Sequence, residues 1–154
     1  ANLLHVNRKE DREKMQEDNT RASLEQQRRH DFDVIFLLAQ PDKAREIVPL
    51  LKYYYADNVP IYSTSAIYSG SPAPQKDVDL NGVYFCDIPA VLLGRTGNRL
   101  FAVGQDAYLL SNQLPRLAKL PNFPLYGETG ALTLTSKQQI YRRLPWTQMH
   151  AGHP

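Results

Sequence analysis

Six polar residues stand where an open α/β sheet would present them to a ligand. They are Gln40, Ser63, Thr64, Ser65, Asp87 and Asp106. The first five lie at the ends of apolar runs with the composition of strands, and ligands of open α/β sheets bind outside the carboxyl ends of the strands. Asp106 lies in "GQDAYLL", near the start of a predicted helix. These side chains could hydrogen-bond a small polar ligand, although the interpretation we favour is that they cap helices and line a hydrated gap.

No other pattern in the sequence predicts catalysis or a bound cofactor. No apolar run is followed by a glycine pattern that cradles phosphates, and "GRTGNR" lacks the required spacing. The four histidines do not have the spacing of a zinc site. No serine sits in a nucleophile elbow, and the single cysteine, Cys86, has no histidine close in sequence to act as a base. We therefore predict that the protein is not an enzyme and has no catalytic residues, metal or cofactor.

Several tyrosines are candidates for a surface that binds another protein: Tyr53, Tyr54, Tyr55, Tyr62 and Tyr68. The first three are consecutive in a predicted helix, so their side chains point about 100° apart and cannot all be buried. Exposed tyrosine is enriched at protein interfaces, although tyrosine can equally form the amphipathic rim of a core. The loop 69–82, rich in proline, glycine and serine, is a second candidate surface.

The stretch "DFDVIFLLAQPDKAREIVPLLKYYYADNVPIYSTS" predicts a strand, a helix and a second strand. The unbroken apolar run 34–39 is typical of a strand covered on both faces. Pro41 suits the first position of a helix, and Pro49 should bend that helix. The strand 59–64 follows so closely that the helical crossover makes the two strands parallel neighbours. Because the turn 40–42 contains no glycine, we interpret it as scaffold.

The remainder of the chain predicts a third strand, a long helix and a hairpin. Residues 83–89 read as a strand ended by proline, and residues 100–120 as helical in their central part, with an interruption by Pro115 near the end. Residues 132–135 and 140–143 alternate apolar and polar side chains around "SKQQ", which predicts a β-hairpin. The predicted fold class is therefore α/β, a parallel sheet with flanking helices plus a C-terminal β-hairpin.

Composition is that of a single α/β domain or a fragment of one over residues 1–154. Apolar residues make up 42% of the chain, and its net charge of +2 is too small to predict a nucleic-acid partner. Residues 1–30 predict a charged helical lead-in, and residues 147–154 a loose tail. No apolar run approaches the length of a membrane-spanning helix.

Four separated segments resemble one known family in order and spacing. They are "DFDVIFLLAQPDKAREIVPLLKYYYADNVPIYSTSAIYSG", "DLNGVYFCDIP", "FAVGQDAYLL" and "GETGALTLTSKQQIYRRLPW". Together they resemble the C-terminal domain of the LpoA family, outer-membrane lipoproteins that activate class A penicillin-binding proteins. The same segments are similar to the second half of type I periplasmic solute-binding proteins, and the resemblance covers most of residues 31–146.

The resemblance implies a fold, a function and a cellular location. It implies mainly the second lobe of a two-lobed periplasmic binding protein-like domain, in which the position of Asp106 often faces the cleft. It implies a non-catalytic regulator that binds a class A penicillin-binding protein in the periplasm, with a solute-binding lobe for a small polar ligand as the alternative. The full-length protein would be anchored to the outer membrane by a lipid that this chain lacks. The segment between Pro89 and Leu100 is shorter than the family pattern.

Overall fold

A computed structural model of the chain describes Gln16 and residues 32–55, 59–120 and 122–154, with Tyr55 described by its backbone alone. Most of the predicted lead-in over residues 1–30 therefore lies outside the described residues. The elements are β1 (Ile35–Leu37), α1 (Pro41–Tyr55), β2 (Ile61–Ser63), α2 (Pro74–Asp77), β3 (Tyr84–Cys86), α3 (Pro89–Leu92), α4 (Arg99–Lys119), β4 (Leu125–Gly127), β5 (Gly130–Leu134), β6 (Ile140–Arg143) and β7 (Trp146–Gln148). Short 3-10 turns occupy Ser65–Ile67 and Val78–Leu80.

The larger sheet has the strand order β1-β2-β3-β7. β1, β2 and β3 run parallel, and β7 closes the sheet in the antiparallel direction. The smaller sheet is the antiparallel meander β4-β5-β6, which contains the predicted hairpin. The α/β fold class, the parallel pairing of the first two strands and the C-terminal hairpin are thus confirmed.

α1 forms where the sequence supplies the signals for a helix. Pro41 is its first residue, where its missing N–H leaves no intrahelical bond unmade, and Asp42 complements the positive end of the helix dipole. Ala44 and Val48, one turn apart, are fully buried against the sheet. The helix continues through Pro49 to Tyr55, because Pro49 lies on the exposed side where the lost hydrogen bond faces water.

The described helices pack on one face of the larger sheet. Ile61 and Phe85 of that face join Val48 of α1 and Ala102 of α4 in one core cluster. The prediction that the first strand is covered on both faces is wrong within the described residues, since Phe36 is 63% exposed. β1 is the edge strand of a sheet with helices on one side, so the alternate residues of its apolar run face outward.

The prediction of a loose tail over residues 147–154 is also wrong. β7 pairs with β3, and Met149, directly after it, is fully buried in the core. The Met149 N–H donates to the carbonyl of Val83 (2.9 Å), and its carbonyl accepts from the Gly82 N–H (2.8 Å). The tail is fixed because a short strand alternates Thr147 and Met149 toward the core, a pattern too brief to be visible in the sequence.

α4 is longer than the sequence indicates. It runs over 21 residues from Arg99, and the side-chain oxygen of Asn98 caps it by accepting from the N–H groups of Leu100 and Phe101. Pro115 lies on an exposed side of this helix and does not interrupt it before Lys119. The smaller sheet packs against α4, with Leu132 of β5 buried there.

Candidate functional site

The carboxyl end of the parallel sheet is occupied by an arginine rather than by an open polar cleft. The Arg99 guanidinium reaches from the first turn of α4 to the Asp87 carboxylate, donating from Nε to Oδ1 (3.1 Å) and from Nη2 to Oδ2. Nη2 also donates to the carbonyls of Ser65 (3.3 Å) and Tyr68 (3.1 Å). Arg99 thereby joins the ends of β2 and β3 to the start of α4, a contact that sequence reasoning missed.

Asp87 is buried, and both of its oxygens are used within the protein. Besides Arg99, its Oδ1 accepts from the N–H of Ile88 (2.7 Å). A buried carboxylate with a bidentate arginine and a backbone donor has its charge compensated inside the fold. Asp87 is thus a structural anchor at this sheet end in the present conformation.

The remaining cleft candidates of the parallel sheet also have local roles. Ser63 is buried and donates from Oγ to the carbonyl of Leu37 (2.7 Å), which joins β2 to β1. Thr64 caps the 3-10 turn Ser65–Ile67 by accepting from the Ala66 N–H (3.4 Å). Ser65 is half-buried, and Gln40 is exposed beyond the end of β1. Ser63 and Asp87, the most deeply buried of these residues, therefore hold the sheet together.

Asp106 does not lie near a helix start, which corrects its predicted position. It is the eighth residue of α4, buried at 4% exposure. Its Oδ1 accepts from the Glu128 N–H (2.7 Å), and its Oδ2 accepts from the N–H (2.8 Å) and Oγ1 (2.5 Å) of Thr129. A side chain at Gly127 would collide with this carboxylate. Asp106 therefore binds the β4–β5 turn to α4, and both of its oxygens are occupied.

The candidate loop 69–82 is a structured segment fixed to α1. It contains α2 and the 3-10 turn Val78–Leu80. Asp77 is buried, and its Oδ1 accepts from Nε (3.1 Å) and Nη2 (2.8 Å) of Arg45. Its Oδ2 has no hydrogen-bond partner among the described residues. This ion pair explains how the loop is held, and no local sequence signal connects residues 32 positions apart.

The tyrosine candidates divide into exposed and buried groups. Tyr53 and Tyr54 are exposed on α1 with their rings in an edge-to-face arrangement 5.3 Å apart. Tyr68 is 2% exposed and packs on Phe85, so its prediction as part of a partner surface is wrong. It follows a 3-10 turn whose geometry directs the ring into the core, where burial raises the pKa of its phenol. The side chain of Tyr55 lies outside the description.

Tyr62 belongs to an aromatic layer on the outer face of the larger sheet. The strand register aligns Phe36, Tyr62 and Tyr84 side by side on that face. The Tyr62 and Tyr84 rings stack at 5.2 Å, and the Trp146 ring meets Tyr62 edge-on at 5.8 Å. Phe36 and Trp146 are more than half exposed. We call these four residues the aromatic sheet face, and none of them belongs to the core cluster into which the described helices pack.

Neither a metal-ligand cluster nor a membrane-spanning helix occurs among the residues that the structure describes. No three His, Cys, Asp or Glu side chains come together there as a metal site would require. Among the same residues, no helix has the length and apolar character needed to cross a membrane.

The sequence matches a known family along nearly its whole length. Residues 1–152 match the family described as "LppC putative lipoprotein". The chain belongs to the LppC family. Within the curated relatives, the chain is 28% identical over 137 residues to the penicillin-binding protein activator LpoA of Edwardsiella ictaluri, an alignment covering 78% of this chain and 20% of the relative. The chain thus spans about a fifth of the length of such relatives.

The chain is also similar to solved structures. The chain is similar to the LpoA (YraM) C-domain from Haemophilus influenzae, described as a regulator of PBP1A, with a TM-score of 0.65 and 28% identity. That match covers 83% of this chain and 45% of the C-domain. A protein of Chromobacterium violaceum described as a "putative branched-chain amino acid ABC transporter" matches with a TM-score of 0.57 and 30% identity, covering 76% of this chain and 42% of that one. The periplasmic binding protein-like fold is confirmed.

Proposed function

We propose that this chain is part of a non-catalytic regulator that binds a class A penicillin-binding protein in the periplasm and activates it. The observation that carries the proposal is the LppC-family match over residues 1–152, together with the structural likeness to a C-domain described as a regulator of PBP1A. The full-length protein would be held at the outer membrane by a lipid anchor, which the family description as a lipoprotein supports. We expect the lipid anchor, and not residues 1–154, to contact the membrane.

The aromatic sheet face is the proposed contact for the synthase. It combines exposed Phe36 and Trp146 with the half-buried rings of Tyr62 and Tyr84. Aromatic side chains at the centre of an interface provide large buried area, and the tyrosyl hydroxyls can hydrogen-bond a partner. Activation requires that the chain bind the active conformation of the synthase more tightly than the inactive one.

The alternative, a solute-binding lobe, gains no support from the carboxylates. Asp87 and Asp106 use both of their oxygens within the protein. The exposed amide of Gln40 and the half-buried Thr64 and Ser65 side chains remain nearer solvent. A buried pocket for a small ligand usually has several convergent polar groups that are not already satisfied, so the regulatory proposal is the one we develop.

The test of the proposal is a peptide cross-linking assay with a purified class A penicillin-binding protein. The rate of cross-link formation is measured with and without the folded chain, and an unrelated periplasmic protein serves as the control. We expect the rate to rise with the concentration of the chain and to reach a plateau. An unchanged rate at saturating binding would assign activation to parts of the longer relatives that this chain does not span.

A further inference from the structure

A pocket lies on the face of the smaller sheet that points away from α4. The register β4-β5-β6 places Tyr126, Thr133, Tyr141 and Arg143 on one face of that sheet. Leu132 lies on the opposite face, which packs on α4. The pocket has a volume of about 630 Å³, within the range of small-molecule sites.

The wall of the pocket is fixed by hydrogen bonds between distant segments. The Ala90 N–H at the start of α3 donates to the carbonyl of Glu128 (3.0 Å). The Arg95 guanidinium donates to the Glu128 carboxylate over 2.7 Å, so these two charges compensate each other. The turn that carries Glu128 is itself bound to α4 through Asp106. This wall of the pocket is therefore held in place by the protein's own contacts.

Arg143 supplies an uncompensated positive charge to this pocket. Its guanidinium has no ion pair or hydrogen bond within the described part of the chain. A guanidinium binds a carboxylate through two parallel hydrogen bonds, which makes it selective for that group. Because the charges of Arg95 and Glu128 cancel each other, the charged side chains that line the pocket sum to one positive charge.

The tyrosines determine what the rest of the ligand should be. Tyr126 is 79% exposed and Tyr141 is 60% exposed, so their ring faces are accessible. Tyrosine and threonine hydroxyls both donate and accept hydrogen bonds, as sugar hydroxyls do. Aromatic faces beside hydroxyl groups match a saccharide ring, which has apolar C–H faces and a polar edge.

We propose that this pocket binds a saccharide that carries a carboxylate. The carboxylate pairs with Arg143, and the ring packs on Tyr126 or Tyr141. Thr133 Oγ1, which donates to the Tyr141 carbonyl (3.4 Å), accepts from a sugar hydroxyl. This inference goes beyond the proposed function and does not rest on it, because the synthase would contact the aromatic sheet face and the two bindings are measured separately.

The test is an NMR titration of the whole chain with two matched sugars. N-acetylmuramic acid and N-acetylglucosamine share a ring, but the first carries a carboxylate and the second does not. We expect N-acetylmuramic acid to shift the amide signals of β4, β5 and β6, and Arg143→Gln to weaken its binding by about tenfold. Arg142→Gln is the matched control, since the neighbouring residue lies on the opposite face of β6.

Three results would overturn the proposal. One is binding of N-acetylmuramic acid no tighter than about 10 mM by the wild-type chain. Another is equal binding of the two sugars, which would show that the carboxylate does not contribute to binding. The third is tighter binding of acetyl-alanyl-alanine than of the acidic sugar, which would assign the pocket to a peptide carboxylate. The circular dichroism spectrum of each variant establishes that it is folded.

Discussion

Asp106 shows how a single buried carboxylate can serve the fold rather than a ligand. Its oxygens accept from the backbone N–H groups of Glu128 and Thr129, 22 and 23 residues later in the chain. The sequence marks Asp106 as a polar residue in an apolar helix face, but it does not reveal these donors. Arg99, the partner of Asp87, is hidden for the same reason, since ion pairs between distant segments leave no local pattern.

We expect Asp106→Ala to lower the free energy of unfolding by about 3 kcal/mol, because two backbone N–H groups and one hydroxyl lose their acceptor. Urea unfolding followed by circular dichroism measures the change. Gln105→Ala is the matched control, since Gln105 is the exposed neighbour in the same helix and should change stability little. Equal stability of the Asp106→Ala variant and the wild type would contradict the anchoring role.

Tyr68 should make stability sensitive to alkaline pH. Burial, followed by the charges of Asp77 and Asp87, raises its pKa above the ordinary value of 10.0. The unfolded state therefore loses the Tyr68 proton at a lower pH than the folded state does. The contribution of Tyr68 to the free energy of unfolding is complete below about pH 10 and is lost as the pH rises through the folded-state pKa. We expect Tyr68→Phe to reduce this decrease in urea titrations at a series of pH values. An identical pH dependence in the variant would show that other groups cause it.

At the scale of elements, α1 tolerates a proline because Pro49 faces solvent. We expect Pro49→Ala to raise the free energy of unfolding by about 2 kcal/mol, since alanine restores a hydrogen bond to the carbonyl of Arg45. Pro41→Ala is the control, because the first residue of a helix has no intrahelical N–H bond to gain. Thermal unfolding distinguishes the two variants. A larger gain from Pro41→Ala than from Pro49→Ala would contradict this account of the helix.

Met149, directly after the last strand, fixes the end of the chain in the core. Met149→Ala should lower the free energy of unfolding by about 3 kcal/mol, because it leaves a cavity in the main core. His150→Ala, at the exposed neighbouring position, is the matched control and should have little effect. Urea midpoints of the two variants provide the comparison. A negligible effect of Met149→Ala would restore the original prediction of a loose tail.

Elements with a long periodic signal could be predicted, and those set by tertiary pairing could not. The apolar run of β1, the start of α1 at Pro41 and the β5–β6 hairpin all follow from local pattern. β7 has three residues and pairs with β3, 60 to 64 positions earlier, so its position depends on contacts that only the folded chain makes. The continuation of α4 through Pro115 likewise depends on its exposed position.

At the scale of the whole molecule, one face of the larger sheet is covered by helices, and the opposite face carries the aromatic side chains. The four segments that resemble the LpoA family predict the fold and the family, and the family match and the structural likeness bear this out. The sequence could not distinguish buried Tyr68 from half-buried Tyr62, because the direction of each ring depends on strand register and turn geometry. It also could not predict that Trp146 would join Tyr62 on the same face.

The most direct test of the central claim is a calorimetric titration of the folded chain into a purified class A penicillin-binding protein. We predict saturable binding by the wild type, at least about tenfold weaker binding by the Phe36→Ala/Trp146→Ala double variant, and unchanged binding by Tyr108→Ala, an exposed tyrosine of α4. Equal binding by the wild type and the double variant would remove the aromatic sheet face from the interface. An absence of binding by the folded wild-type chain would contradict the proposed function of these residues.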